Sequence, residues 1–492
     1  MERRKVKLEK LIEGLDLDVR GSLDVDVYGI GSNSQTVCPG DLFIARRGQK
    51  FDATQFIPDV AEAGAVAALT DLYNPFAPSV TQLITSDVAH LEEELVQRFY
   101  DYPARKLSLI GITGTNGKTT TSYLLHHLFQ PCGLIGTVEW RLGHSTVPAT
   151  RTTPDLVTLT KFFYEMSGAR CQRAVMEVSS HALSQGRARS FTFDVAVFTN
   201  LTQDHLDYHH TMEEYAAAKA KLFSSLDKKA SAVVNIDDPA CPMMVANCPA
   251  QILTYGFDTK AELRASDLRL TAEGMEFIIH YQGASHSFTS KLIGRFNVYN
   301  LLAAIGVGIT QNLALSDVLA KLSSFSSVPG RLERVPNNRD VPIFVDYAHT
   351  DDALRNVLET LQECKKGRII TVFGCGGSRD VGKRPKMARI AESLSDVVII
   401  TSDNPRQEDP EEIIRQVLNG ITNRSECHVE VDRKKAIAKA VSLAKENDIV
   451  LIAGKGHEKT QEFKDHSIPF DDCLVAKEAC QLQQTTDVDK AG

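Results

Sequence analysis

The sequence predicts an α/β protein of three domains, two of them built on parallel sheets. Three observations carry that prediction. At 492 residues the chain exceeds what one hydrophobic core serves, because chains divide into domains of about 150 residues. Short apolar runs alternate with helix-compatible segments in two separate series, the order that a parallel sheet with crossover helices requires. Most of the unusual polar clusters stand at the carboxyl end of an apolar run, the sheet edge where strands deliver side chains and following helices present their amino termini.

Taken in order, the first part is the least regular. VDVYGIGSNS, GDLFIAR and AVAALTD read as strands separated by loops or helices, a small domain over residues 1–105. The first regular series then runs LSLIGITG, SYLLHHLF, AVMEVSS, VAVFTNLT and SAVVNIDD, giving a central domain over 106–331. A second series begins after Pro329-Gly330 with PIFVDYA, RIITVFGCGG, VVIITSDNPR and DIVLIAGKGHE, a Rossmann-like α/β domain over 332–492. Proline or glycine between patterned blocks, near Pro103 to Lys106 and near Pro329 to Arg334, marks the two boundaries. The tail QLQQTTDVDKAG after Cys480 is expected to fray.

Composition narrows the class of partner. A net charge of -8 and a pI near 6.0 lack the basic footprint of a generic nucleic-acid binder. The amino terminus MERRKVKLEKLIEG has no apolar block of the kind a secretory signal needs. No stretch approaches the ~20 apolar residues of a membrane span. Ten cysteines lie singly between Cys38 and Cys480 without CxxC pairs, the pattern of reduced thiols. The expectation is a cytoplasmic monomer that acts on small molecules, with neither nucleic acid nor membrane as a partner.

The segment GITGTNGKTT follows a strand-like run and precedes a helix-like one, the context of a phosphate-cradling P-loop. Its glycines allow the backbone amides of Gly114, Thr115, Asn116 and Gly117 to turn toward an anion. Lys118 neutralises phosphate charge, and the hydroxyl of Thr119, beside Thr120, suits Mg²⁺, a hard cation that prefers oxygen. The match is to a variant, GxxGTNGKT, because Ile112 stands where the strict pattern demands glycine. A central parallel-sheet P-loop ATPase domain using ATP with Mg²⁺ follows. Phosphoryl transfer between anions also needs metal and positive charge nearby. Glu177, ending AVMEVSSHAL, and Asp204, His205 and Asp207, after VFTNLTQ, are the candidates that neighbouring strand ends supply.

With these residues assembled, the chain resembles the Mur ligases, three-domain ATP-dependent amino-acid ligases that build the peptidoglycan stem peptide. The matching segments run nearly end to end: GTNGKTT, TTPD, EVSSHAL, NLTQDHLDYH, EEYAAAKAKLF, GRFNVYNLLAA, PGRLE, DYAHTDDAL, FGCGGSRDVGKRP, DNPR and AGKGHE. The similarity points to the branch of the family that adds the third residue to UDP-N-acetylmuramoyl-L-alanyl-D-glutamate. The resemblance implies that ATP phosphorylates the γ-carboxylate of the D-glutamyl residue and that an amine attacks the acyl phosphate. It also implies two metal ions, held by Thr119, Glu177, His205 and Lys219, with Lys118 supporting the transferred phosphoryl group.

Lys219, in EEYAAAKAKLF, resembles the family lysine that is carbamylated; on its own it reads as a solvated helical lysine. Asn297, Asn300, Arg331 and Asp346 match positions around the nucleotide, although Asn297 and Asn300, three apart, also fit ordinary capping or surface roles. Arg331 follows Pro329-Gly330, where a hinge would carry an arginine to the nucleotide. The resemblance assigns Ser34, Thr152, Thr153, Ser179, Ser180, Gln185 and Arg187 to the UDP-muramoyl-dipeptide, hydroxyls and amides suited to sugar and pyrophosphate oxygens. Individually these are common turn and cap residues.

For the amine, Asp403-Asn404-Pro405-Arg406 is the informative motif, since proline before arginine fixes a guanidinium fork at a strand end. Family members with DNPR resemble the adders of meso-2,6-diaminopimelate, which carries one more carboxylate than lysine. Arg379 is expected to hold a carboxylate too, with Gly454 and Glu458 at the ammonium end. Arg406 alone reads equally as a surface ion pair. The loop Gly374-Cys375-Gly376-Gly377 faintly suggests dinucleotide binding, but Arg379 takes the third glycine's place, and Cys375 reads as a packed thiol. Two rivals stand beside this reading: a folylpolyglutamate synthetase sharing the same loop, and a nucleotide switch that ligates nothing.

Overall fold

The computed structural model describes residues 4–47, 52–339 and 341–491. The chain divides into two compact units: one is Met1–Gly114, Phe129–Ala232 and Pro242–Ile252, the other Thr115–Leu128, Val233–Cys241 and Leu253–Gly492.

The first unit opens with a five-stranded sheet in the order Asp18–Arg20, Thr81–Ile84, Ala67–Thr70, Asp41–Ile44, Gly29–Gly31. Only the edge strand Asp18–Arg20 is antiparallel. The three runs expected to be strands are strands, and Asp41–Ile44 and Ala67–Thr70 are buried at every position. That is why they read as continuous apolar runs rather than as alternating ones. Helix Val88–Tyr100 covers this sheet through Leu91, Leu95, Val96 and Phe99; Asp87 caps its amino end by accepting from His90 N.

The same unit carries four parallel strands in the order Cys132–Ile135, Arg173–Glu177, Ser108–Thr113, Val195–Phe198. Register matters for function. Glu177 pairs with Ile112, and Phe198 with Thr113, so these carboxyl ends finish together at the start of the Gly114 loop. Strands Glu139–Arg141 and Thr146–Pro148 extend the edge antiparallel.

In the second unit Leu263–Thr271, Gly274–Tyr281 and Ala284–Ser290 form an antiparallel meander. The helix Arg295–Thr310 is buried along most of its length. Beyond it lies a six-stranded sheet in the order Glu333–Arg334, Ile343–Asp346, Ile449–Ala453, Ile369–Phe373, Val397–Ile400, Cys427–Val429. All pairs but the first are parallel. One face packs against residues of helices Asp351–Cys364, Lys383–Leu394 and Pro410–Leu418, the other against Arg433–Leu443 and Asp472–Ala491. This doubly wound sheet bears out the Rossmann-like expectation, and its strands end at Asp346, Phe373, Ile400 and Ala453 on one edge.

The last helix, Asp472–Ala491, begins before the tail that the sequence marks for fraying. Its first turns are anchored by buried Val475, Ala476, Ala479 and Cys480, and a helix once nucleated propagates cheaply.

Candidate functional site

The strand Ser108–Thr113 delivers the chain into the glycine loop, and helix Lys118–Phe129 leaves it. Gly114 and Gly117 both have positive φ, 149° and 84°. A Cβ on Gly114 would collide with Thr199 Oγ1, and one on Gly117 with Asn300 Oδ1, so both positions require glycine for conformation and for space. Lys118 Nζ donates to Thr115 O at 2.7 Å, folding the ammonium back over the loop. Thr119 and Thr120 are buried. Asn297 and Asn300 are neither caps nor surface residues: Asn300 Nδ2 donates to Asn297 Oδ1 at 2.9 Å and Thr121 Oγ1 to Asn300 Oδ1 at 3.4 Å. Asn297 Nδ2 in turn donates to Ile293 O at 2.8 Å, so the pair braces the helix that follows the loop.

In the first unit a chain of hydrogen bonds gathers most of the residues matched to the acid substrate. Glu177 is wholly buried and accepts from Thr137 N at 3.1 Å and Thr137 Oγ1 at 2.8 Å. Thr137 Oγ1 meets Thr152 Oγ1 at 3.1 Å. Thr153 Oγ1 donates to Glu177 O at 2.8 Å and accepts from Ser179 N at 3.1 Å. Arg187 Nη1 donates to Thr153 O at 2.9 Å, and its Nη2 donates to Gln185 Oε1. Ser180 Oγ lies 2.9 Å from His209 Nε2. Among the described residues no hydrogen bond joins Ser34 to this group. Ser34 and Thr152 are nevertheless each flanked by residues of one cleft of about 1030 Å³, lined among others by Asn33, Thr36, Trp140, Arg151 and Lys161. That is room for a nucleotide-sugar-sized ligand.

His205 has positive φ and a half-exposed ring, with Nε2 3.4 Å from Asp204 Oδ2 and the ring centre 4.8 Å from that of His181. Burial first, then the charge of His205, pushes the His181 imidazole below its ordinary value. Burial does the same to His209, so both rings are neutral near pH 7. Thr137, His181 and His209 are not among the site residues the sequence assigns, although His181 lies within EVSSHAL and His209 ends NLTQDHLDYH.

Lys219 corrects a residue-level reading. It is 1% exposed, its Nζ donates to Gly114 O at 2.8 Å and stands 4.3 Å from the Tyr215 ring centre. The signal was present: Tyr215, Lys219 and Leu222 fall on one stripe of helix Met212–Ser224 and all three are buried.

At the edge of the six-stranded sheet, Asp346 is buried and accepts from Leu332 N at 2.7 Å and Ala348 N at 2.8 Å. Burial raises its pKa, with the Arg331 charge opposing. Tyr347 N donates to Gly330 O at 2.9 Å, and Arg331 lies 5.4 Å from the Tyr347 ring centre, so the segment after Pro329 is tied to this strand end. Asn404 Nδ2 donates to Glu458 Oε2 at 2.8 Å, while Lys455 Nζ donates to Asn404 Oδ1 and to Glu458 at 2.8 and 2.9 Å. Gly454, with φ of 116°, faces Asp403 Oδ2, which a Cβ there would approach to 2.7 Å. Arg406 is engaged: Nε donates to Glu462 Oε2 at 2.8 Å and Nη1 to Gly377 O at 3.1 Å. Pro405 precedes it, and Arg379 is exposed on the facing loop. Cys375 is the packed thiol expected, 3.7 Å from Met387 Sδ and pushed up to about 12 by burial.

A glycine-gated P-loop on a parallel sheet, a separate doubly wound sheet with a polar strand edge, and a smaller sheet before both define a three-part ligase architecture. Three family models match in that order: Mur ligase family, catalytic domain over residues 26–107, Mur ligase middle domain over 112–308, and Mur ligase, glutamate ligase domain over 330–456. The chain belongs to the Mur ligase family and is an ATP-dependent ligase that forms a peptide bond. Particular relatives narrow the likeness. The UDP-N-acetylmuramoyl-L-alanyl-D-glutamate--2,6-diaminopimelate ligase of Gloeobacter violaceus is 44% identical, covering 98% of this chain and 99% of that protein. The ligase of the same name from Chlamydia caviae is 44% identical over 96% and 99%. A solved structure of a UDP-N-acetylmuramoyl-L-alanyl-D-glutamate--2,6-diaminopimelate ligase superposes with a TM-score of 0.70 at 33% identity, over 98% and 99% of the two chains. No helix among the described residues is long and apolar enough to cross a membrane.

Proposed function

We propose that this ligase joins meso-2,6-diaminopimelate to the γ-carboxyl of UDP-N-acetylmuramoyl-L-alanyl-D-glutamate in cytoplasmic peptidoglycan precursor synthesis. Residues 1–105 then serve the uridine nucleotide, 106–331 ATP and 332–492 the amino acid. The observation that carries the choice of amine is the braced strand edge Asp403–Arg406, which places the Arg406 guanidinium beside the loop of Arg379. Two guanidinium groups suit an amine that carries a second carboxylate; L-lysine has none to offer at that end.

In this reading the loop amides from Gly114 to Gly117 and the Lys118 ammonium take the triphosphate. The D-glutamyl carboxylate displaces ADP from the γ-phosphoryl group, giving an acyl phosphate. The amine attacks the acyl carbon, loses a proton, and the tetrahedral intermediate expels phosphate. The chain's share is mostly positioning and charge neutralisation. By chemistry alone, the Thr119 hydroxyl and the Glu177 carboxylate are hard oxygen donors of the kind Mg²⁺ takes, and His205 with Lys219 as a carbamate would hold a second ion. Bound there, Mg²⁺ supplies charge neutralisation at phosphate oxygens. As an ammonium Lys219 repels a cation, so carbamylation is the form that fits; Thr152, Thr153, Ser179, Ser180, Gln185 and Arg187 then hold the acid substrate.

The test is release of phosphate from ATP with each substrate omitted in turn. Release only when the UDP-muramoyl-dipeptide and the diamine are both present supports the reading. Release that ignores the amine would show a nucleotide switch or hydrolase instead, and dependence on a folate would show the rival ligase.

A further inference from the structure

Two loops carry the residues proposed to meet the carboxylates of the amine, and one buried arginine outside the proposed site joins them. Arg384, in helix Lys383–Leu394, is wholly buried. Its Nη1 donates to Glu408 Oε2 at 2.9 Å and to Gln416 Oε1 at 2.6 Å. Its Nη2 donates to Glu408 Oε1 at 3.0 Å and to Gly376 O at 3.3 Å. Glu408 Oε1 also accepts from Ser378 N, the residue before Arg379. Glu408 N donates to Pro405 O at 3.0 Å, the residue before Arg406. A single bidentate ion pair therefore ties Glu408, whose own backbone turns back on Pro405, to the loop of Arg379 through Ser378 N and Gly376 O.

The loops are locked across a glycine seam. Gly377 N donates to Asn404 O at 2.8 Å and Arg406 Nη1 to Gly377 O at 3.1 Å. A Cβ on Gly377 would collide with Pro405 O, and one on Gly376 would lie 3.0 Å from Arg406 Nη1. Ser378 and Arg406 both hold positive φ, 55° and 51°, conformations that cost energy unless their surroundings fix them. The Glu408 carboxylate of the ion pair bonds Ser378 N directly, while Arg406 is also held by Glu462 through its backbone N and Nε.

We propose that Arg384, acting through Glu408, is a positioning residue that sets the spacing between Arg379 and Arg406 and so selects an amine with two carboxylates. This rests on the reading that those two arginines meet the amine. Arg384 is wholly buried beneath the two loops, so its effect belongs in recognition of the amine rather than in the phosphoryl step.

The experiment compares wild type with Glu408→Gln, Arg384→Met and Arg384→Lys, measuring KM for ATP, for the UDP-muramoyl-dipeptide and for the amine. Glu408→Gln keeps the shape of a partly exposed residue and retains hydrogen-bonding capacity, and the melting temperature of each variant is recorded so that lost folding is told from lost recognition. Expected is a rise of about tenfold in KM for meso-diaminopimelate in Glu408→Gln, with the other two KM values and kcat within about twofold, and partial recovery in Arg384→Lys relative to Arg384→Met. Unchanged KM for the amine in Glu408→Gln, or an equal loss on all three substrates, overturns the proposal. A wild type that uses another amine overturns the substrate reading alone, and the same comparison run with that amine still decides the clamp.

Discussion

At the scale of single residues, Lys118 and Lys219 both touch the P-loop backbone, and both contacts use the side-chain nitrogen. In the role proposed for it Lys118 neutralises phosphate charge, so Lys118→Ala should lower kcat/KM for ligation by about a thousandfold or more in a phosphate-release assay. Lys219→Ala should also be inactive, and short carboxylic acids should restore part of its rate, since a free carboxylate can stand in for the carbamate. Failure of rescue with intact folding would remove the carbamate from the account. Arg406→Ala should raise KM for meso-diaminopimelate by about tenfold to a hundredfold, from the loss of a charged hydrogen-bonding partner worth ~1.5–3 kcal/mol, with far less effect on lysine. Equal effects on both amines would take Arg406 out of recognition. Residues were unevenly legible at this scale. Gly114 and Gly117 announce themselves because only glycine fits their backbone. Lys219 did not, because a lysine on a helix is usually solvated, and only its place on the apolar stripe tells otherwise. That Arg406 is already paired with Glu462, which lies on a different strand 56 residues on, has no local signature.

At the scale of elements, buried ion pairs fix the strand ends. Arg433, wholly buried on helix Arg433–Leu443, donates to both oxygens of Asp472 at 2.8 and 2.7 Å and to Ala453 O at 3.1 Å. Burial works against its charge, and Asp472 outweighs that, leaving the guanidinium pKa raised. Asp472→Ala leaves the buried cation with only the Asp403 carboxylate, 4.0 Å away, and should cost about 3–5 kcal/mol of stability in denaturant melts. A loss under 1 kcal/mol, on the order of an exposed pair, would mean water reaches the site. The same Arg433 ties the start of the C-terminal helix, Asp472, to the strand end at Ala453. Sequence could not show this, since the two residues are 39 apart and neither lies in a patterned motif. Strands were far more legible, because parallel strands buried on both faces read as unbroken apolar runs. The Arg384–Glu408 pair carries a pH prediction. The hydrogen bond from Arg384, with that from Ser378 N, holds Glu408 below its ordinary value. Its stabilisation is therefore complete above about pH 4.5 and is lost as pH falls through the lowered native value. Melting temperature followed downward from pH 5 should drop less steeply in Glu408→Gln than in wild type, and parallel curves would deny the linkage.

At the scale of the whole molecule, three family models match in chain order over residues 26–107, 112–308 and 330–456, and a relative named as a 2,6-diaminopimelate ligase is 44% identical over 98% of this chain. Fold class was legible because periodicity and punctuation repeat over many elements and errors average out. The chemistry was legible because phosphate binding, metal binding and carboxylate recognition each demand particular residue types at strand ends. The network behind those residues, Thr137 under Glu177 or Arg384 under two loops, was not, since it depends on which distant segments become neighbours. Addition of a diamino dicarboxylate to the nucleotide-linked dipeptide is decided by the mass of the product formed from ATP, UDP-N-acetylmuramoyl-L-alanyl-D-glutamate and equal concentrations of meso-diaminopimelate and L-lysine. Expected is a product heavier by one diaminopimelyl residue and almost no lysyl product. A predominantly lysyl product, or none with phosphate still released, would contradict it.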